Sequence, residues 1–146
     1  MTDEEPLEPT TEWVREHMRR YVATDGADGM EWRGVPTLLL TMRGRRSGRL
    51  RRTPLIFGRD AEERPVIVAS YGGRPKHPEW YLNLQANPEV TIQIGGEVSR
   101  ARARTAEGEE RERLWRMMAA RFPSYDEYQA KTERRIPVVV LEPLPA

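Results

Sequence analysis

The sequence predicts a mainly β protein with inserted helices, an antiparallel barrel rather than a doubly wound sheet, and three observations carry that reading. Short apolar segments with period-two alternation are joined by tight turns; helical segments interrupt them irregularly; and no GxGxxG follows a strand. Irregular insertion of helices is unlike the regular alternation of a Rossmann sheet, and the missing fingerprint disfavours a nicotinamide cofactor bound in the usual way. A chain of 146 residues supports one core. Residues 1–9, rich in Glu and Pro, read as a flexible arm, and 10–146 as one domain.

The elements follow in order. Thr10 or Thr11 caps a first helix that runs to about Thr24, with Trp13, Val14, His17, Met18, Tyr21 and Val22 along its apolar face. Residues 25–29 are a loop of Asp and Gly. A strand from Val35 stops at the glycine-bounded turn 44–48, and a second strand covers 51–59, where Pro54 demands an edge or a bulge. A polar connection at 60–64 returns the chain as a hairpin strand at 66–70. After Gly72 and Gly73, Pro78 starts a short helix with Trp80 and Leu84 on one face, and Asn87-Pro88 stops it.

A second hairpin turns at Gly95-Gly96, its return strand placing Arg100, Arg102 and Arg104 opposite Ala101 and Ala103. A long helix follows from about Glu107, started by Thr105, with Glu107, Glu109 and Glu110 in its first turn and Leu114, Met117 and Met118 inward. Phe122-Pro123 breaks it. Ser124 and Glu127 read as a capping box for a last helix with Tyr125, Tyr128 and Thr132 on one side, and 136–141 is a buried strand.

Composition narrows the chemistry. Cysteine is absent, which excludes disulfides, thiolate nucleophiles and Cys-built metal sites, and His17 and His77 lack the spacing of a metal site or triad. His17 reads as packed against its neighbours, His77 as shaping its turn. No metal is expected, so any redox chemistry falls to an organic cofactor. No apolar run approaches the roughly 20 residues of a membrane span, and the acidic start is unlike a signal peptide, so the expected compartment is the cytoplasm. Net charge is +1, yet Arg43, Arg45, Arg46, Arg49, Arg51 and Arg52 crowd one acid-free segment that can attract phosphate or carboxylate. On the residues alone that segment reads as a solvated turn. It has no aromatic residues beside it, so nucleic acid is not an expected partner.

Several motifs in order resemble a known family: LLLTMRGRRSG at 38–48, RTPL at 52–55, Ala69-Ser70, Gly72-Gly73, HPEWYLNL at 77–84, ANP at 86–88 and PSYDEYQ at 123–129. Their order and spacing are similar to those of the F420-dependent nitroreductases, also called F420H(2)-dependent quinone reductases, from about Trp13 to Pro143. The resemblance implies a split β-barrel like that of FMN-binding reductases. It implies a deazaflavin cofactor, F420, with FMN the less expected ligand, and hydride transfer to a small electron-poor acceptor such as a quinone, an enone or a nitro compound.

By that resemblance Arg45, Arg46, Ser47 and Gly48 hold the phosphate and tail region, with Arg52 and Pro54 beside them. Ser70, Tyr71, Gly72 and Gly73 contact the cofactor, Ser70 otherwise only capping its strand, and Tyr71 standing where Lys is expected, which removes or moves one anionic contact. Trp80 is a cofactor wall or a core anchor, and the two roles can coexist. Tyr125, Tyr128 and Phe122 line the acceptor side, with Tyr125 the catalytic choice, Tyr128 open to a packing role, and Phe122 replacing a Tyr hydroxyl. The alternative is a non-catalytic split-barrel carrier of a flavin, F420 or a fatty acid. Peripheral membrane contact through the amphipathic first helix, whose polar face mixes Arg and Glu, is a further expectation. No motif sets an oligomeric state.

Overall fold

The structure, a computed structural model, describes residues 6, 7, 9, 11–27, 31, 32 and 35–145. Thr10, and positions 28 and 29 of the expected loop, lie outside the described residues, as do 1–5 and 8 of the expected arm. The elements run α1 (Glu12–Ala23), β1 (Glu31–Trp32), β2 (Val35–Arg43), β3 (Leu50–Ile56), β4 (Gly58–Arg59), β5 (Pro65–Val68), a 3-10 turn (Tyr71–Gly73), α2 (Glu79–Ala86), β6 (Glu89–Ile94), β7 (Glu97–Thr105), α3 (Gly108–Arg121), α4 (Ser124–Ala130) and β8 (Val138–Pro143).

All pairings between these strands are antiparallel, and the hydrogen-bonded path is β1-β2-β6-β7-β8-β5-β4, with β3 on the other side of β2. β3 and β4 therefore end the sheet at opposite edges, yet only Phe57 separates them in sequence. Two Cα steps reach about 7 Å. The sheet must curl until its edges meet, and it does so without pairing them, which is the seam of a split barrel.

That seam corrects the expectation of one strand over 51–59 in a hairpin with 66–70. β3 pairs with β2 across the 44–48 turn, and only Gly58 and Arg59 pair with β5. The cause is Phe57, whose ring is buried in the core while its N–H donates to Pro36 O at 3.1 Å, turning the barrel corner.

Period two explains the continuous apolar runs, because strands at the back of the barrel are covered on both faces. Ile67, Val139 and Leu141 join Leu38, Leu40 and Met42 in one core, whereas Val66, Val68, Val138 and Val140 pack under α3 and α4 against Leu114, Trp115, Met118 and Tyr125. Full burial of such a side chain contributes about 1.5–3 kcal/mol, far more than the few tenths from helix propensity differences, so packing decides these segments. Leu39, pointing the other way on β2, meets Met18 and Tyr21 of α1. The Tyr21 hydroxyl donates to Thr37 O at 3.0 Å and accepts Gly95 N–H at 2.8 Å, fixing α1 over β2.

Five local readings change. Trp13 and Val22 are exposed on α1 instead of facing the core. Thr105 ends β7, its Oγ1 hydrogen-bonded to the Tyr81 hydroxyl, and Glu107 takes the cap of α3. The capping box of Ser124 and Glu127 does not form: Pro123 holds the cap position with helical torsions, and the N–H groups of Tyr125 and Asp126 donate to the Phe122 and Pro123 carbonyls. α4 ends at Ala130, before Thr132. In the segment expected as an arm, Leu7 forms a parallel bridge with Arg51, through Leu7 N–H to Leu50 O at 2.7 Å and Arg52 N–H to Leu7 O at 2.9 Å. Among the described residues no helix is long and apolar enough to cross a membrane.

Candidate active site

A cavity of about 640 Å³ opens on the seam, between β3 and the end of β5. Pockets of some 300–1,000 Å³ take cofactor-sized ligands. Its walls come from α1, β3, the 70–73 turn, the start of α2, and the aromatic residues around α4. Consecutive residues of β3, from Arg51 to Ile56, line it, so both faces of that strand contribute.

Of the residues singled out from the sequence, Arg52, Pro54, Ser70, Tyr71 and Gly72 line this cavity, and so do Trp80, Phe122, Tyr125 and Tyr128. Arg45, Arg46, Ser47, Gly48 and Gly73 do not. Arg45 is turned toward α2: its N–H and its Nη1 both donate to Asn83 Oδ1, at 3.0 and 2.9 Å, and Nη2 is ion-paired with Glu79 at 2.7 Å. This pairing, by hydrogen bond first, holds the Glu79 carboxyl below its usual range. Arg46, Ser47 and Gly48 are exposed, with Ser47 Oγ accepting Arg49 N–H at 3.2 Å.

The 70–73 turn is unlike that loop. Ser70 is helical, and Tyr71, Gly72 and Gly73 follow with φ of 49°, 63° and 79°. The left-handed region costs a non-glycine residue about 1–2 kcal/mol, so Tyr71 must be held there by its surroundings. A Cβ on Gly73 would lie 2.6 Å from Tyr128 O, so only glycine lets α4 approach, whereas a Cβ on Gly72 would meet nothing within 4 Å.

At the α4 side the Tyr125 ring packs edge-on to Phe122 at 5.1 Å and Tyr128 at 6.3 Å. Burial, and secondarily the neighbouring Tyr128, push the Tyr125 phenol above the usual phenolic range, so its hydroxyl stays protonated and available as a donor. Ile56 packs against the core cluster that contains Phe122 and Tyr125, and lines the same cavity. Ile56 lies four residue steps along β3 from Arg52, about 13 Å at roughly 3.3 Å per residue. The cavity therefore has an aromatic pole and a cationic pole. Arg52 Nε is buried with no hydrogen-bond partner among the described residues.

The residues missed from the sequence are chiefly those of α1. Trp13, Val14 and His17 line the cavity, and His17 Nε2 is buried without a partner among the described residues. Their helical spacing marked a shared face; the seam beneath that face was not visible. Asn83 was also missed, although a lone amide inside the apolar run of α2 is a signal of a buried polar anchor.

The fold and the cavity define a ligand-binding split barrel. The model of the F420H(2)-dependent quinone reductase family matches residues 13–143, and the chain belongs to that family, a family of oxidoreductases whose hydride donor is reduced F420. An F420H(2)-dependent quinone reductase of Mycobacterium tuberculosis is 38% identical over 132 residues, 88% of each chain. A solved structure described as an F420-H2 dependent reductase, FDR-A, is 45% identical, covers 73% of this chain and 94% of its own, and superposes with a TM-score of 0.68. Another, described as a domain-swapped dimer, is 42% identical, covers 92% and 100%, and gives a TM-score of 0.71. The membership agrees with the resemblance noted in the sequence.

Proposed function

We propose that this chain binds reduced F420 in the seam cavity and passes its hydride to an electron-poor organic acceptor, a quinone first, with enones, other activated alkenes and nitro compounds in the same class. The observation that carries this reading is the two-poled cavity. F420 joins a flat ring to an anionic arm, and the cavity pairs aromatic walls with a buried Arg52 Nε that has no hydrogen-bond partner among the described residues and sits about 13 Å along β3 from Ile56. The residues present fit the group. Arg52 would hold the phosphate region, the 70–72 turn and Trp80 would address the ring, and Arg45 and Arg46, outside the cavity lining, would meet the tail beyond it, Arg45 in competition with Glu79.

Bound F420H2 supplies the hydride. Alignment, water exclusion and polarisation of the acceptor fall to the protein. Tyr125 donates its hydroxyl proton in a hydrogen bond to the acceptor oxygen as negative charge develops there. The same burial that keeps the phenol protonated makes it a reluctant acid, so solvent delivers the proton. Acceptors reach the site beside α1, whose Trp13 is 59% exposed at the rim. Resting that rim on a bilayer would present lipid-soluble quinones to the cavity, and vesicle co-sedimentation tests it.

The deciding experiment titrates the purified protein with F420 and then follows F420H2 oxidation with a panel of quinones, enones and nitro compounds. Binding with turnover of at least one acceptor is the expected result. Tight binding without turnover of any would make the chain a carrier.

A further inference from the structure

One side chain outside the cavity holds its most strained wall. Arg134 lies between α4 and β8, and its guanidinium donates from Nη2 to Ser70 O at 2.7 Å, from Nη1 to Ala69 O at 3.3 Å, and from Nε to Arg74 O at 2.9 Å. Those three carbonyls bracket Tyr71, Gly72 and Gly73, whose φ values are all positive. On its other side the turn is pressed against Tyr128 at Gly73. The turn is thus clamped between a guanidinium and the backbone of α4, and Ser70, Tyr71 and Gly72 face the cavity from inside that clamp.

The clamp has a fourth partner. Arg134 Nη1 lies 3.0 Å from His77 Nδ1. A guanidinium has donors only, so Nδ1 must accept, and His77 is held as the neutral tautomer with its proton on Nε2. Protonation would turn that acceptor into a donor aimed at a cation. Burial and Arg134 both depress the pKa of His77, burial more. Tyr81 of α2 meets the imidazole edge-on at 5.0 Å. Of the nearby charges, Arg74 stacks on Tyr71 at 4.6 Å, Lys76 precedes the imidazole in the chain, and Glu79 is engaged by Arg45. No charge among these offsets an imidazolium beside Arg134.

We propose that Arg134 is a positioning residue for cofactor binding, bracing the 70–74 turn in its binding conformation only while His77 is neutral. Acid converts His77 from acceptor to donor, Arg134 and His77 separate, and the carbonyls of Ala69 and Ser70 lose their brace. The ligand in this inference is the F420 of the proposed function; the brace itself belongs to the apo protein.

The test has two arms. In the apo protein, 15N shifts of the His77 ring report tautomer and protonation. They should show the Nε2–H form persisting below the ordinary imidazole range, and Arg134→Gln should raise the apparent pKa of His77. In the second arm, F420 affinity is measured from about pH 8 to about pH 5 for wild type and His77→Gln, a residue that keeps an acceptor but cannot charge. Affinity of the wild type should fall about tenfold more across that range than affinity of His77→Gln, whatever the latter's starting value. Arg134→Lys, which retains charge but cannot reach three carbonyls, should bind F420 about tenfold more weakly than wild type with its fold retained by circular dichroism. An Nδ1–H tautomer, or parallel pH profiles for wild type and His77→Gln, overturns the inference while leaving the cofactor reading intact. Absence of F420 binding at every pH overturns the cofactor reading, and the 15N arm then still decides the brace.

Discussion

Two glycine-bearing turns, at 44–48 and at 70–73, are marked as cofactor contacts by the family resemblance, and they are built on opposite principles. The first carries formal charge in solvent: Arg46, Ser47 and Gly48 are exposed, and the turn is anchored through Asn83 and Glu79 to α2. The second carries almost no charge of its own but has three successive positive φ values, a backbone contact that only Gly73 permits, and cavity-facing groups. A charged loop attracts an anion from a distance and is screened by salt; a strained, buttressed loop does little until the ligand is in contact, and then acts at full strength. Binding energy is expected mainly from the second, and encounter rate mainly from the first.

The largest effect that would sharpen this contrast is at Gly73. Gly73→Ala combines left-handed torsion with a backbone clash and should destabilise the protein by about 3 kcal/mol or more, whereas Gly72→Ala, strained but unobstructed, should cost about 1 kcal/mol. Thermal or urea unfolding of both variants decides it, and equal losses would mean that the turn is not held against α4.

Next in size is the aromatic pole. Tyr125→Phe removes only a hydroxyl, and quinone turnover should fall by roughly 10 to 1,000-fold with little change in F420 affinity. Tyr128→Phe should do less. Steady-state kinetics beside a direct F420 titration check both, and wild-type turnover in Tyr125→Phe would remove that residue from the mechanism.

At the cationic pole Arg52→Ala should weaken F420 binding about tenfold, or about 1.4 kcal/mol, and Arg46→Ala by a few tenths of a kcal/mol, lost at high salt. The reverse order would put the anion site on the exposed turn after all. F420 should also bind about tenfold more tightly than FMN at low salt, because FMN lacks the anionic tail.

The smallest expected effect is a pH dependence of stability. His77 has a folded pKa below its ordinary value of 6.5, so its contribution is present above that value and is lost as pH falls through the lowered folded pKa. Urea midpoints should drop more across that window for wild type than for His77→Gln.

How much of this was legible beforehand follows from range. Hairpins, short helices and the two-faced strands at the back of the barrel are written in local periodicity and glycine placement, and the family resemblance points to nine residues that line the cavity. Burial of Phe57 is a tertiary event, so the break between β3 and β4 was hidden inside an apparently continuous strand. Arg134 was hidden for the same reason: nothing in the run Glu133-Arg134-Arg135 distinguishes a solvated arginine from one that grips carbonyls more than sixty residues away. Trp13 and His17 read as packing from the sequence because a helix face looks the same whether core or cavity lies under it.

The seam has a further consequence, for association between molecules. A site placed at an unpaired strand leaves backbone donors and acceptors where the edge strand of another molecule can add. Arg52 N–H and Leu50 O point outward, where they meet Leu7, so by strand alternation the outward N–H two residues on would belong to position 54. That residue is Pro54, which has no N–H to offer. Between them, Leu7 and Pro54 occupy or delete the donors that a foreign strand would need along this stretch. The opening that admits a cofactor-sized ligand is thereby kept a poor template for sheet extension.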